Sequence, residues 1–323
     1  MRQRIVFALA GLAASILLMS DARAQKFPSR PITYVVPLAA GSTTDVAARL
    51  LAQRVSQSLG ANIIIENKPG ASTMLGSAAV AKAEPDGHTL LMGASSLTVN
   101  QNLFKTVPFD TERDFAPISL LVSAPMVLVV NPAIGVKTFA EFLTRFKPPQ
   151  SVTFATPGPG TMLGLATEVF RNKSGLDVKT AVYRGGGPAL TDVIAGHVPA
   201  MFGTPVIKQN IDNGDVRALA VTGQKRLDLL PDVPTFAEVG FPLPEVDAGA
   251  WFGLLAPAAT PREVVEVLNR AFNAALKDAE LRIALMKMGL EPRGTTPEEF
   301  ASFIRAEIKR WPPIFQRASI TPQ

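Results

Sequence analysis

The chain has 323 residues, more than one hydrophobic core usually organises, so two lobes are expected. It has no cysteine, which excludes disulfides, thiolate chemistry and cysteine-ligated metals, and its two histidines, His88 and His197, stand in no ligand-spaced motif. The net charge of +5 is spread along the chain without a Lys/Arg cluster interleaved with aromatics, so no nucleic-acid partner and no metal or cofactor is expected.

In chain order, Arg2 and Arg4 precede an apolar run from Ile5 to Met19, followed by Ala22-Arg23-Ala24. A positive segment, an apolar core and a small-x-small site read as a secretory signal peptide over 1–24, with the mature chain starting near Gln25. The run is too short to span a membrane stably, and no cysteine offers a lipid anchor. Ile32–Val36 then reads as a strand, and Val46, Ala47, Leu50, Leu51, Val55 and Leu59 recur at helical spacing. Asn62–Glu66 reads as a buried-type strand, Leu75–Ala83 as a small-residue helix, Pro85-Asp86-Gly87 as a turn and Thr89–Met92 as a further strand. This alternation predicts βαβ units and a parallel sheet.

The pattern restarts at the apolar strand Pro125–Val130. Thr138 and Glu141 stand as a capping box for a helix over Phe139–Phe146, and Val152–Ala155 is a strand leading to a helix through Phe170. Near the C-terminus, Thr260-Pro261-Arg262-Glu263 and Thr296-Pro297-Glu298-Glu299 both look like capped helix starts with Pro at the first helical position. The second opens a helix whose Phe300, Phe303, Ile304, Ile308 and Trp311 share one face, a core pattern.

Three small-residue loops join a strand to a helix. Gly41-Ser42-Thr43-Thr44-Asp45 has no Lys and no GxxxxGK[ST] pattern, so it is no nucleotide phosphate loop. Either Ser42 or Thr43 only caps its own helix, or the helix N-terminus holds an anion. Thr156-Pro157-Gly158-Pro159-Gly160-Thr161 is a second such loop, its glycines allowing close backbone approach and its prolines stiffening it. Tyr183-Arg184-Gly185-Gly186-Gly187 is the third. One anion held between helix termini in a cleft between lobes is the simplest account of all three. An enzyme using Ser42 or Ser95 with His88 is disfavoured, since no GxSxG elbow is present.

These residues, taken with Phe27-Pro28-Ser29-Arg30-Pro31-Ile32, Glu66-Asn67-Lys68-Pro69-Gly70, Pro85–Gly93, Asp114–Ser119, Pro188–Asp192, Arg217–Thr222, Leu230–Thr235 and Trp251–Pro257, follow a characteristic order. In that order they resemble the periplasmic tripartite tricarboxylate transporter substrate-binding proteins, the TctC or Bug family, over essentially the whole mature chain. The resemblance implies an α/β type II periplasmic-binding-protein fold, two α/β lobes with a ligand cleft between them. It divides the chain into 25–124 plus 252–323 as one lobe and 125–251 as the other. It implies a non-enzymatic, periplasmic, monomeric protein that captures a small organic acid, mono- or dicarboxylate, aromatic or apolar acids included. That acid is handed to membrane permease subunits, the alternative being a signal to a receptor kinase.

Carried over by position, the family's carboxylate-gripping loops correspond to Ala40, Gly41, Ser42, Thr43, Thr44 and Asp45, flanked by Ser95 and Ser96. The opposite lobe supplies Thr156, Gly158, Gly160, Thr161, Tyr183 and Gly187, with Gly203 and Thr204. Ala40 and Ser42 depart from the Pro and Gly common in the family, Pro159 replaces Asn, and Gly164 falls where His is frequent. Gly203 stands where many members carry Asp, which removes a partner for a ligand ammonium and points to an amine-free acid.

Overall fold

The computed structural model describes residues 27–322; the expected leader over 1–24 lies outside them. Two sheets, each flanked by helices, make the two lobes. The chain enters the first through β1 (Ile32–Val36), α1 (Thr43–Leu59), β2 (Ile63–Asn67), α2 (Met74–Ala81), β3 (Thr89–Ala94), α3 (Ser96–Leu103) and β4 (Phe115–Ala124). It crosses to build β5 (Val127–Val130), α4 (Phe139–Arg145), β6 (Ser151–Thr156), α5 (Met162–Ser174), β7 (Asp177–Val182), α6 (Gly186–Ile194), β8 (Ala200–Gly203), α7 (Lys208–Asp212) and β9 (Arg217–Val221). It then returns through β10 (Ala250–Pro257), α8 (Arg262–Lys277), α9 (Ala279–Lys287), β11 (Glu291–Pro292) and α10 (Pro297–Arg317).

The strand orders are β11-β4-β10-β3-β1-β2 and β7-β6-β8-β5-β9. The βαβ units are parallel as expected, β1 with β2 and β3, β6 with β7 and β8. The sheets as wholes are mixed, which corrects the all-parallel expectation. The returning chain enters the first lobe reversed, so β10 inserts antiparallel between β3 and β4; β5 likewise runs antiparallel to β8 and β9. Buried along its whole length, β10 starts at Ala250, two residues ahead of the boundary expected at 252. β2 is not the buried strand its Ile-Ile-Ile suggests: it has a neighbour on one side only, and Ile64 is 54% exposed.

Local chemistry sets most helix ends. Ser42 caps α1 by accepting from the Asp45 N–H at 3.3 Å, and Gly60 closes it at φ +62°. α10 carries the full Thr296/Glu299 capping box. At α4 the box is half formed, because Thr138 Oγ1 accepts from Glu141 N while the Glu141 carboxylate turns to the Lys137 N–H instead. Thr260 does not cap α8: its hydroxyl donates to the Pro257 carbonyl, and Pro261 takes the capping position without a side-chain bond.

The C-terminal helix buries Phe300, Ile304 and Trp311, with Phe303 and Ile308 packed partly buried against the cluster that holds Phe300 and Ile304. The Trp251 ring stands edge-on to both Phe300 and Phe303. Phe139, Phe142, Phe154, Phe170, Phe202 and Phe236 pack as an aromatic cluster in the second lobe. Each ring removes a large apolar area from water, so each lobe has its own packed interior, and the chain passes between the lobes at Pro125 and Met126 and again ahead of Ala250.

At that seam the two connecting strands touch. Gly249 sits at φ +71°, and a Cβ there would lie 2.3 Å from the Ala124 carbonyl oxygen. Gly249→Ala therefore combines a left-handed penalty with a backbone clash, and should cost about 2–4 kcal/mol of stability. Urea melts of the two proteins read this directly; a loss below about 0.5 kcal/mol would mean that the crossovers part without strain.

Candidate functional site

Between the lobes lies a cavity of about 50 Å³ lined by both. A single water needs at least roughly 10–15 Å³ of such space, so the cavity is a few waters in size and suits a carboxylate and a few carbons rather than a nucleotide. Its polar wall is made almost wholly of helix starts. Ser42, Thr43 and Thr44 are the cap and first two residues of α1, Thr73 caps α2, and Ser95 and Ser96 open α3. Thr161, Met162 and Leu163 open α5, and Gly186 is the first residue of α6. Five helix N-termini thus converge on one small space. Each brings a fraction of a positive charge, and four of them, those of α1, α3, α5 and α6, bring unpaired N–H groups.

The N–H groups of Thr43, Thr44, Ser96, Met162, Leu163 and Gly186 meet no acceptor among the described residues. Thr44 Oγ1 is also buried without a partner. Leu38, Ala94, Pro157, Ala250 and Phe252 complete the wall together with the Met162 and Leu163 side chains. Among the described residues, no ionisable side chain lines the cavity. Its positive potential comes from backbone dipoles alone, which suits a small anion with an apolar body.

Asp45, expected to touch ligand, lies beneath the loop instead, 3% exposed. Its carboxylate accepts from the Gly41 N–H, from Arg49 Nε and from Asn67 Nδ2, each at 3.0 Å. Burial pushes its pKa up, but the bonds from Arg49, Asn67 and Gly41 outweigh that and hold it below the ordinary carboxylate value. Asn67 donates as well to the Leu38 carbonyl. The acid therefore staples both ends of the loop that aims Thr43 and Thr44 at the cavity.

The lobes are closed on each other around this space. Thr43 Oγ1 and Thr204 Oγ1 are 2.7 Å apart across the cleft, Ala39 N donates to the Arg184 carbonyl at 2.9 Å, and Gly160 N donates to Ser72 Oγ at 3.4 Å. Glycines read as ligand contacts turn out to be points of lobe-to-lobe approach. A Cβ on Gly158 would meet Ser72 Oγ at 2.6 Å, one on Gly160 Asn100 Oδ1 at 1.9 Å, and one on Gly187 the Ala40 carbonyl at 3.0 Å.

Of the residues singled out from sequence, Ser42, Thr43, Thr44, Ser95, Ser96, Thr161 and Thr204 line the cavity. Ala40, Gly41, Asp45, Thr156, Gly158, Gly160, Tyr183, Gly187 and Gly203 stand outside it, and the reasons differ. Gly41 serves Asp45, and Thr156 accepts from the Gly158 N–H of its own loop. The Tyr183 hydroxyl turns away to donate to Asp192 at 2.6 Å; burial and that carboxylate push its pKa up to about 12. The space above Gly203 is filled by the Ile207 side chain, 2.8 Å from where a Cβ would be. Sequence reasoning missed Thr73, Met162, Leu163, Gly186 and Phe252. Met162, Leu163 and Gly186 could have been found by extending each cap to the next two helical residues; nothing in the local pattern marks Thr73 or Phe252.

Comparison with known proteins matches this arrangement to a family. The profile described as "Tripartite tricarboxylate transporter family receptor" matches residues 47–320. The chain is 36% identical over 311 residues to protein BugT of Bordetella pertussis, covering 95% of this chain and 93% of that protein. Among solved structures, R. palustris Rpa4515 with adipate is similar at TM-score 0.87 and 32% identity, covering 92% of this chain and 100% of that one. MatC (Rpa3494) of Rhodopseudomonas palustris with bound malate is similar at TM-score 0.82 and 32% identity, covering 89% and 99%. With the match spanning both lobes and every helix start that lines the cleft except that of α1, the chain belongs to the tripartite tricarboxylate transporter receptor family of periplasmic binding proteins.

Proposed function

We propose that this protein captures a small, amine-free organic acid between its lobes and delivers it to the membrane permease of a tripartite transporter, after export through cleavage near Ala24. One observation carries the reading: five helix N-termini, four of them with unpaired N–H groups, surround a cavity that no ionisable side chain among the described residues lines. A carboxylate is the common small anion whose single charge such dipoles can hold without Lys or Arg. An ammonium would find no carboxylate here, which favours acids over amino acids. The adipate and malate held by two similar proteins are of the same class. The ligand's hydrogen bonds to both lobes form together only when the cleft is shut, so binding and closure are coupled.

A melting-temperature screen with mono-, di- and tricarboxylates, aromatic acids and amino acids tests this. An acid at a hundred times its Kd adds about 2.7 kcal/mol to stability, a rise of several degrees. Shifts confined to amino acids would sink the amine-free reading, and no shift with any acid, on protein shown by mass spectrometry to be empty, would sink the function.

Thr44→Val sharpens the test because its two effects have opposite signs. Removing a buried hydroxyl that has no partner should leave the empty protein as stable or about 1 kcal/mol more so. The same change should weaken the acid about tenfold, since the hydroxyl is a donor the carboxylate uses. Calorimetry beside a urea melt separates the two; unchanged affinity would remove Thr44 Oγ1 from the ligand's contacts.

A further inference from the structure

Ala71, Ser72 and Thr73 lie consecutively at φ +46°, +50° and +78°. None is glycine, so the backbone holds three left-handed residues in a row, a conformation L-residues adopt reluctantly and singly. Glycine at any of the three would relax it. The side chains explain what is kept instead. Thr73 Oγ1 is 2.6 Å from Ser96 Oγ, and Asn100 Nδ2 donates to the Ser72 carbonyl at 2.8 Å, so two side chains from α3 brace the turn. The braced turn aims Ser72 Oγ out of lobe 1 into the second lobe, where it accepts from the Gly160 N–H and fills the space above Gly158. Asn100, wholly buried, meets Gly160 from the same side through its Oδ1, which has no hydrogen-bond donor.

We infer that this left-handed turn is a closure latch and that Ser72 is its positioning residue. It touches no ligand itself; it acts through Gly160, setting how tightly lobe 2 brings the α5 N-terminus down on the cavity. Strain in the turn is tolerated because it delivers the hydroxyl across the seam. Any effect on acid affinity rests on the binding role proposed above, while the effect on closure does not.

Ser72→Gly separates a latch from an ordinary turn residue. It relieves a left-handed residue, so the melting temperature of the empty protein should hold or rise. It also deletes the hydroxyl, so the closed-to-open ratio should fall about two- to fivefold, the worth of one long hydrogen bond. Amide hydrogen exchange at Gly160 and the radius of gyration from X-ray scattering read closure with no ligand present. Ser72→Ala keeps the left-handed strain and loses the hydroxyl, so it should speed Gly160 exchange without raising the melting temperature. With adipate as probe, wherever wild type responds to it, affinity should fall by the same factor as closure. Gly160 exchange and radius equal to wild type in both variants would overturn the latch. Failure of every acid to bind would instead count against the transport reading and leave the exchange result standing.

Discussion

Gly160→Ala should leave both lobes folded and prop the cleft open. Gly160 is not in the left-handed region, so alanine fits the second lobe's own backbone. The new methyl would lie 1.9 Å from Asn100 Oδ1, on a buried side chain tied to the Ser72 carbonyl, and neither can give way cheaply. Overpacking of this kind costs about 1–3 kcal/mol, here charged to closure rather than folding. Acid affinity should fall about 5- to 150-fold while the urea midpoint moves little. Scattering would show a larger radius with saturating acid than wild type has. A variant that closes and binds normally would mean that the lobes do not meet at Gly160 in the bound state.

Asp45→Ala should cost about 2–4 kcal/mol and disorder the loop in front of α1. The carboxylate is buried and satisfies three donors from Gly41, Arg49 and Asn67; removing it leaves a hole beneath the loop and takes one acceptor from the half-buried Asn67 and the only one from the Gly41 N–H. Arg49 is half exposed and can return to water, which keeps the figure below that of a fully buried ion pair. The pH dependence follows from the lowered carboxyl pKa. A group with a depressed folded-state pKa stabilises fully above its unfolded value and loses that contribution as pH falls through the folded one. The stability gap between wild type and Asp45→Ala should therefore be constant above about pH 5 and narrow as the solution is taken below about pH 4. Denaturant melts across that range measure it. A gap that widens in acid would show that Asp45 is destabilising when charged.

Much of this was legible in the residues. Ser42 before an apolar 3.6-residue period announces a capped helix, and Thr296 with Glu299 announces another; the structure forms both. The hydroxyl-rich helix starts were visible too, because Ser and Thr at a strand-to-helix junction mark a helix N-terminus, whose first N–H groups lack intrahelical acceptors. Long-range geometry was not visible. β2 reads as buried because local pattern cannot tell an edge strand from a central one, and the reversed entry of β10 is fixed by a crossover far along the chain. The same limit hides the lobe-to-lobe approach at Gly158, Gly160 and Gly187. A glycine that lets a ligand approach and one that lets another lobe approach look alike until the second lobe is in place. For a related reason the bonds of Tyr183 and Asp45 were not visible: each spends polar atoms on a neighbour, Asp192 or the Gly41 loop, that the sequence does not show to be within reach.

Helix N-termini, without a charged side chain, are proposed to hold a carboxylate in this cleft. Calorimetric titration with the acid that shifts melting most, beside the primary amide of the same acid, tests it most directly. The two have nearly the same shape and apolar body and differ in charge. The acid should bind at least tenfold more tightly than the amide. Equal binding of the two would show that shape and apolar contact, not the converging N–H groups, select the ligand, and would contradict the account.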